Sequence, residues 1–211
     1  MRYSYLVIEG NIGVGKTTLA TRIAEDYGAR LILEQFEDNP FLAKFYADPG
    51  RYAFPVEMSF LAERYNQLKK ELAHPELFSS FTVADYYFTK SLIFAGNNLE
   101  KDEYRLYRSI FMIMYQSLPR PDLYVYLHAP VERLLTNISL RGRDYEKHIT
   151  AEYLRKIQEG YFESFRHEKE MPVVVVDISD LDFVKNEGDY KKLKEIIFGQ
   201  DHRRGITRIK A

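Results

Sequence analysis

An α/β domain built around a parallel sheet is the fold class that the sequence predicts, on three observations. Short apolar runs recur along the chain and alternate with longer amphipathic stretches. The runs are almost continuously apolar and rich in valine, isoleucine and tyrosine, the pattern of strands covered on both faces. A glycine loop, GNIGVGKT, joins the first run to the first amphipathic stretch, where a βα unit makes its tight turn. Ligands of such a domain sit at the carboxyl ends of the strands.

Taken in order, residues 5–8, 31–33, 81–84, 123–127 and 173–176 read as buried strands. Helical spacing covers residues 16–27, 52–73, 104–116, 131–140 and 151–166. Pro130 falls in a first helical turn, where a missing N–H costs nothing. The final stretch, DHRRGITRIKA, carries Arg203, Arg204, Arg208 and Lys210. It reads as a frayed basic tail, or as a contact with an anionic ligand or partner.

Composition sets the outer limits. The 211 residues carry a formal net charge of -1, with 45% hydrophobic and 29% charged residues. That suits one compact domain over residues 1–211 and offers no basic field for a nucleic-acid polymer. Cysteine is absent, which excludes a disulfide framework, thiolate metal ligation and thiol catalysis. The opening MRYSYLVIEG lacks the long apolar core of a signal peptide, and no segment approaches the roughly 20 apolar residues of a membrane span. A cytoplasmic location is expected.

Gly10, Asn11, Ile12, Gly13, Val14, Gly15, Lys16 and Thr17 satisfy the P-loop pattern G-x-x-x-x-G-K-S/T, with Thr18 following. Glycines let successive N–H groups turn inward as an anion nest, and the helix behind adds its positive end. Lys16 reaches the outer phosphates and acts in catalysis, while Thr17 offers a hydroxyl to Mg²⁺. The bland alternative is a glycine turn that merely starts a helix. A P-loop predicts binding of ATP with magnesium and leaves the acceptor open.

Three further positions bear on that acceptor. Glu34 closes the run LILE at the carboxyl edge of the sheet, where a general base could take a hydroxyl proton. Glu37 and Asp38 compete for the role, and a solvated acid is the alternative. Asp85 ends FTVAD, where an acid holds magnesium in the Walker B manner or else caps the next helix. Arg141 and Arg143, in SLRGRDYE, suit a mobile lid over transferring phosphates or a solvated basic loop.

With these residues together, the chain resembles the deoxynucleoside kinase family, especially its bacterial branch acting on purine deoxynucleosides. The resemblance runs through EGNIGVGKTT, LEQFEDNPFLAKFYADPGRYAFPVE, ADYYFTKSLIFA and RGRDYE to DISDLDF. It implies a P-loop kinase fold with a five-stranded parallel sheet flanked by helices, a lid around residues 141–150, and a homodimer. By the same resemblance Glu34 accepts the 5′-hydroxyl proton, and Tyr46 and Glu146 bind the 3′-hydroxyl. Arg141 and Arg143 match the lid arginines, and Asp182 and Phe183 fall where the donor adenine is wrapped. Glu57 stands where many members read the base with glutamine, with Arg64 as a second base-side residue.

Two departures stand out. Members commonly have acid–arginine–serine after the third strand, but Asp85 is followed by Tyr86 and Tyr87, so either a lid arginine or Lys90 substitutes, or the geometry differs. Ionised Glu57 can only accept hydrogen bonds, unlike glutamine. That suits guanine, with its adjacent N1–H and amino donors, unless Glu57 simply pairs with Arg64. The expected activity is transfer of the ATP γ-phosphoryl to the 5′-hydroxyl of a deoxynucleoside, with guanine slightly favoured. A thymidylate-type nucleotide kinase and a catalytically silent P-loop subunit are the alternatives.

Overall fold

The computed structural model describes residues 2–35, 39–73, 81–166 and 168–211. The chain runs β1 (Tyr5–Gly10), α1 (Lys16–Tyr27), β2 (Arg30–Ile32), α2 (Leu42–Ala47), α3 (Pro49–Leu72), β3 (Thr82–Ala84), α4 (Lys90–Asn98) and α5 (Lys101–Tyr115). It continues through β4 (Leu123–His128), α6 (Val131–Arg141), a 3-10 turn (Asp144–His148), α7 (Ala151–Arg166), β5 (Pro172–Asp177), α8 (Glu187–Phe198) and β6 (Gly205–Lys210). The strands form one sheet in the order β2-β3-β1-β4-β5-β6, with every neighbouring pair parallel. From β1 the chain winds first toward β2 and later toward β4. The crevice for ligands therefore opens where the winding reverses, at the carboxyl end of β1.

Strand alternation divides the core into two layers. Leu6 and Ile8 face the side covered by α1, α6 and α8, where Leu19, Leu134 and Leu193 are fully buried. Tyr5 and Val7 face the side covered by α3, α4, α5 and α7, where Leu61, Ala95, Tyr107 and Ile157 pack. Both faces are thus apolar, which is why the strands read as continuous runs rather than alternating ones.

All five expected strands are present, but the sheet has six. The additional strand is the presumed basic tail. Residues 205–210 pair with β5 in register from Pro172↔Gly205 to Asp177↔Lys210. Alternation explains the change: Ile209 packs on the core while Arg208 and Lys210 face outward. Arg208 lies 5.2 Å over the Phe162 ring and Lys210 pairs with Asp180 at 3.2 Å. Outward cations suit an edge strand, because they discourage further pairing.

Helix boundaries shift modestly. The second expected helix begins earlier, at Pro49, and the third begins at Lys101 behind a capping box of Glu100 and Glu103. Pro130 is the cap preceding α6. Three helices had no sequence expectation: α2 is only six residues long, α4 ends in Gly-Asn-Asn, and α8 starts at the Asn186 cap. Glycine and asparagine are poor helix formers, which hides α4.

Candidate active site

The P-loop fills the end of β1. Gly13 and Gly15 adopt φ of 81° and 99°, which side chains rarely tolerate. A Cβ on Gly13 would meet the Leu134 carbonyl at 2.8 Å, and one on Gly15 would meet the Phe183 ring at 2.8 Å. Asn11 ties the loop to α7 by donating to the Leu154 carbonyl at 2.8 Å, and Asn137 of α6 donates to the Gly13 carbonyl at 2.8 Å. Lys16 donates to the Asn11 carbonyl at 3.1 Å. Burial, and then the charge of Lys90, push its ammonium down to about 8.

Glu9, the residue before the loop, is fully buried. Its carboxylate accepts the N–H of Gly10 at 3.1 Å, the N–H of Tyr87 at 3.1 Å and the Tyr161 hydroxyl at 2.9 Å. Burial raises its pKa. Sequence reasoning quoted this residue without assigning it a role. The available signal was an acid inside an otherwise apolar strand.

Asp85 lies beside the loop and does not cap α4, whose cap is Thr89. It accepts the Thr17 hydroxyl at 2.5 Å through one oxygen and the Glu34 backbone N–H at 2.7 Å through the other. Glu34 is not a solvated acid: its side chain is 11% exposed. Arg64 donates Nε at 2.8 Å and Nη2 at 2.7 Å to Oε1, and Lys90 donates at 2.5 Å to Oε2. Burial alone would raise the Glu34 pKa, but Lys90 and Arg64 outweigh it and hold the carboxyl down at about 2. A carboxylate has about four acceptor positions. Three are taken here, leaving one on Oε2. The competing Glu37 and Asp38 lie outside the described residues.

The hydroxyls of the tyrosines standing where the family has arginine and serine bond outside this cluster. Both tyrosines are fully buried, and Tyr86 donates to Gln67 Oε1 at 2.7 Å. Lys90, in the first turn of α4, reaches Glu34 in their stead.

Helix α3 brings in Glu57 and Arg64. Its buried stripe runs Ala53, Val56, Glu57, Phe60, Leu61, Arg64, Leu68, so two charges seven residues apart share an otherwise apolar face. No hydrogen bond joins them. Arg64 is taken by Glu34 and by the Ser91 hydroxyl at 2.9 Å. Glu57 Oε1 accepts from Asn98 Nδ2 at 2.6 Å, and its buried Oε2 has no hydrogen-bond partner among the described residues. Burial pushes Glu57 up to about 7, against Arg64 and the Asn98 hydrogen bond.

At the sugar side, Tyr46 stacks on Tyr145 at 6.1 Å between ring centroids. Burial, with Tyr153 and Glu146 beside it, raises the Tyr46 pKa. Glu146 is buried, forked by Arg141 and 3.7 Å from Arg143. Both arginines thus bracket the acid expected to hold the 3′-hydroxyl. One cavity of about 760 Å³ is lined by Lys16, Thr17, Thr18, Glu34, Tyr46, Glu57, Arg64, Asp85, Arg141, Arg143 and Glu146. Phe94, Asn98, Asn137 and Tyr153 also line it and carried no expectation. Asp182 and Phe183 do not line it: Asp182 is exposed, and Phe183 is buried behind Gly15.

A family model described as deoxynucleoside kinase matches residues 6–199. The chain is 36% identical over 201 residues to a deoxyguanosine kinase of Bacillus subtilis, covering 92% of this chain and 97% of that one. It is 30% identical over 206 residues to a deoxyadenosine/deoxycytidine kinase of the same organism, covering 94% of each. Among solved structures, a deoxyadenosine kinase from M. mycoides with bound dATP superposes with a TM-score of 0.78 at 23% identity, over 92% of this chain and 98% of that one. That likeness extends to the fold. The P-loop, the buried Glu34 beside it and the match along most of the sequence together make this chain a member of the deoxynucleoside kinase family of phosphotransferases.

Proposed function

We propose that this enzyme transfers the γ-phosphoryl of ATP to the 5′-hydroxyl of a purine deoxynucleoside, with deoxyguanosine preferred over deoxyadenosine. The observation that carries the reading is the shared cavity, in which Lys16 and Thr17 face the same space as Glu34, Tyr46, Glu57 and Glu146. The P-loop N–H groups and Lys16 hold the donor phosphates. The open acceptor position on Glu34 Oε2 receives the 5′-hydroxyl and orients it for in-line attack. As the phosphorus–oxygen bond forms, the hydroxyl proton passes to Glu34, and ADP leaves with the electrons of the broken bond. With its carboxyl held at about 2, Glu34 is a weak base, so it takes the proton late in the transfer. Arg64 and Lys90 fix its orientation.

Thr17 and Asp85 present hard oxygens in mutual contact at the loop. That suits Mg²⁺, which takes one or two protein oxygens plus phosphates. When bound, the ion neutralises charge on the β- and γ-phosphates. Residues 141–150 act as a lid: once Glu146 engages the 3′-hydroxyl, Arg141 and Arg143 turn toward the phosphates. Asp182 and Phe183 act indirectly on the donor, Phe183 by supporting Gly15. The chain folds as one domain and pairs as a homodimer through α5, whose Leu106, Met112 and Ile113 are 54%, 42% and 75% exposed. Among the described residues, no helix is long and apolar enough to cross a membrane, which with the lack of cysteine fits a cytoplasmic enzyme.

Release of ADP from MgATP, measured across the four deoxynucleosides and with deoxyguanosine monophosphate, tests the reading. The two purines should be turned over best and the monophosphate not at all. Preferential use of the monophosphate would falsify the assignment in favour of a nucleotide kinase.

A further inference from the structure

The new feature of the nucleoside side is Asn98, which stands at the end of α4, eight residues after Lys90. Residues four and eight apart on a helix share a face. Lys90, Phe94 and Asn98 accordingly line the same cavity, Lys90 gripping Glu34 and Asn98 gripping Glu57. At about 1.5 Å per residue the two contacts lie about 12 Å apart along one rigid element.

The orientation of the Asn98 amide is defined by its neighbours. Its Oδ1 accepts from Asn97 Nδ2 at 3.1 Å, so its own Nδ2 is the donor to Glu57 Oε1 at 2.6 Å, with a longer contact to the Tyr153 hydroxyl at 3.4 Å. Glu57 is 2% exposed, and its second oxygen has no hydrogen-bond partner among the described residues. A buried acceptor without a donor is costly, and a ligand that supplies one relieves the cost. Asn98 itself has no hydrogen-bonding role in the P-loop or at Glu34.

We propose that Asn98 is a positioning residue for base selection: by holding Glu57 Oε1 it presents Oε2 to the hydrogen-bond donors on the base edge of the incoming purine. This rests on the reading of Glu57 as the base-contacting carboxylate. Without the amide, the carboxyl is free to rotate toward Arg64, and the paired donors of guanine lose a fixed acceptor. The hydrogen bond from Asn98 also favours the ionised carboxylate, the form that can only accept. The other charged or titratable groups facing Glu57 are Arg64 of its own helix, Glu34, Lys90 of α4, Tyr107 of α5 and Tyr153 of α7.

The test compares kcat/KM for deoxyguanosine and deoxyadenosine in wild type, Asn98→Leu, Asn98→Asp, Glu57→Gln and the Asn98→Leu/Glu57→Gln double variant. Thermal unfolding and MgATP binding identify folded variants, and Asn98→Asp serves if the leucine variant does not fold. Asn98→Leu should lower the deoxyguanosine-to-deoxyadenosine ratio about tenfold, mainly through the KM of deoxyguanosine. The double variant should be no worse than Glu57→Gln alone. In wild type, deoxyguanosine turnover should rise with pH through an ionisation near the Glu57 value of about 7. Both Asn98 variants should move that ionisation upward, a shift that general loosening of the fold does not produce. If Glu57→Gln changes the ratio while both Asn98 variants keep wild-type ratio and pH profile, the role of Asn98 is overturned and that of Glu57 stands. If Glu57→Gln leaves the ratio unchanged, the base-contact reading fails and this proposal with it.

Discussion

The phosphate side of the cavity is built from backbone, whereas the nucleoside side is built from paired side chains. The P-loop depends on glycine φ angles and N–H direction, and its supports, Asn11 and Asn137, bond main-chain carbonyls. The nucleoside side draws Glu34 from beyond β2, Glu57 and Arg64 from α3, and Lys90 and Asn98 from α4, then Arg141 and Glu146 from α6 and the 3-10 turn. Backbone recognises what all triphosphates share. Interlocked charges can distinguish one nucleoside from another, because leaving any member unpaired is costly. Apart from Glu34, which serves the transfer itself, altering the second group should therefore change selectivity, and altering the first should change overall rate.

The largest expected effect tests whether Glu34 belongs to the shared chemistry or to selection. Glu34→Gln should lower kcat by about 10²–10⁴-fold, equally for every nucleoside accepted. A loss confined to one nucleoside would reassign Glu34 to selectivity, and full activity would remove it from the reaction.

Lys90→Met probes the junction between the two halves. It leaves the buried Glu34 with Arg64 alone and should destabilise the protein by about 3 kcal/mol, readable as a lower urea midpoint. The sign follows from the depressed carboxyl. Glu34 adds stability at pH values above its unfolded pKa, and that stability is lost as pH falls toward about 2. Without Lys90 the folded pKa rises, so the acid limb of the stability profile should move to higher pH. An unmoved limb would show that Lys90 does not control Glu34.

A smaller effect belongs to the phosphate side alone. Lys16 is held near 8 by burial and by the charge of Lys90, and a triphosphate must raise it. Above that pH, ATP binding should take up a fraction of a proton, measurable by calorimetry in buffers of different ionisation enthalpy. The same uptake should occur with or without nucleoside.

How much of this was legible in the sequence follows the same division. Gly10 to Thr17 are contiguous, and their function resides in local backbone geometry, so the loop could be read directly. Glu34 and Asp85 were legible as acids ending apolar runs. Thr17 beside Asp85 and Lys90 near Glu34 were among the expectations. Arg64 was expected at the base, yet its guanidinium holds Glu34, a pairing that only tertiary packing reveals. Asn98 was hidden in a Gly-Asn-Asn helix end. Phe183 sits next to an acid in a loop-like segment, which gives no sign of its burial behind Gly15. The strand β6 was missed because its arginine and lysine, Arg208 and Lys210, obscured an alternation that becomes meaningful only beside the open edge of β5.

Glu9 has a consequence for how the molecule opens. One carboxylate receives donors from the P-loop, from the segment after β3 and from α7. Releasing any one of them leaves a buried charge short of a partner, which favours releasing the others as well. Local unfolding of these three distant segments should therefore be concerted, with the amides of Gly10 and Tyr87 exchanging with deuterium at similar free energies. The P-loop and α7 would then form one cooperative unit, fastened by an acid that does not itself line the cavity.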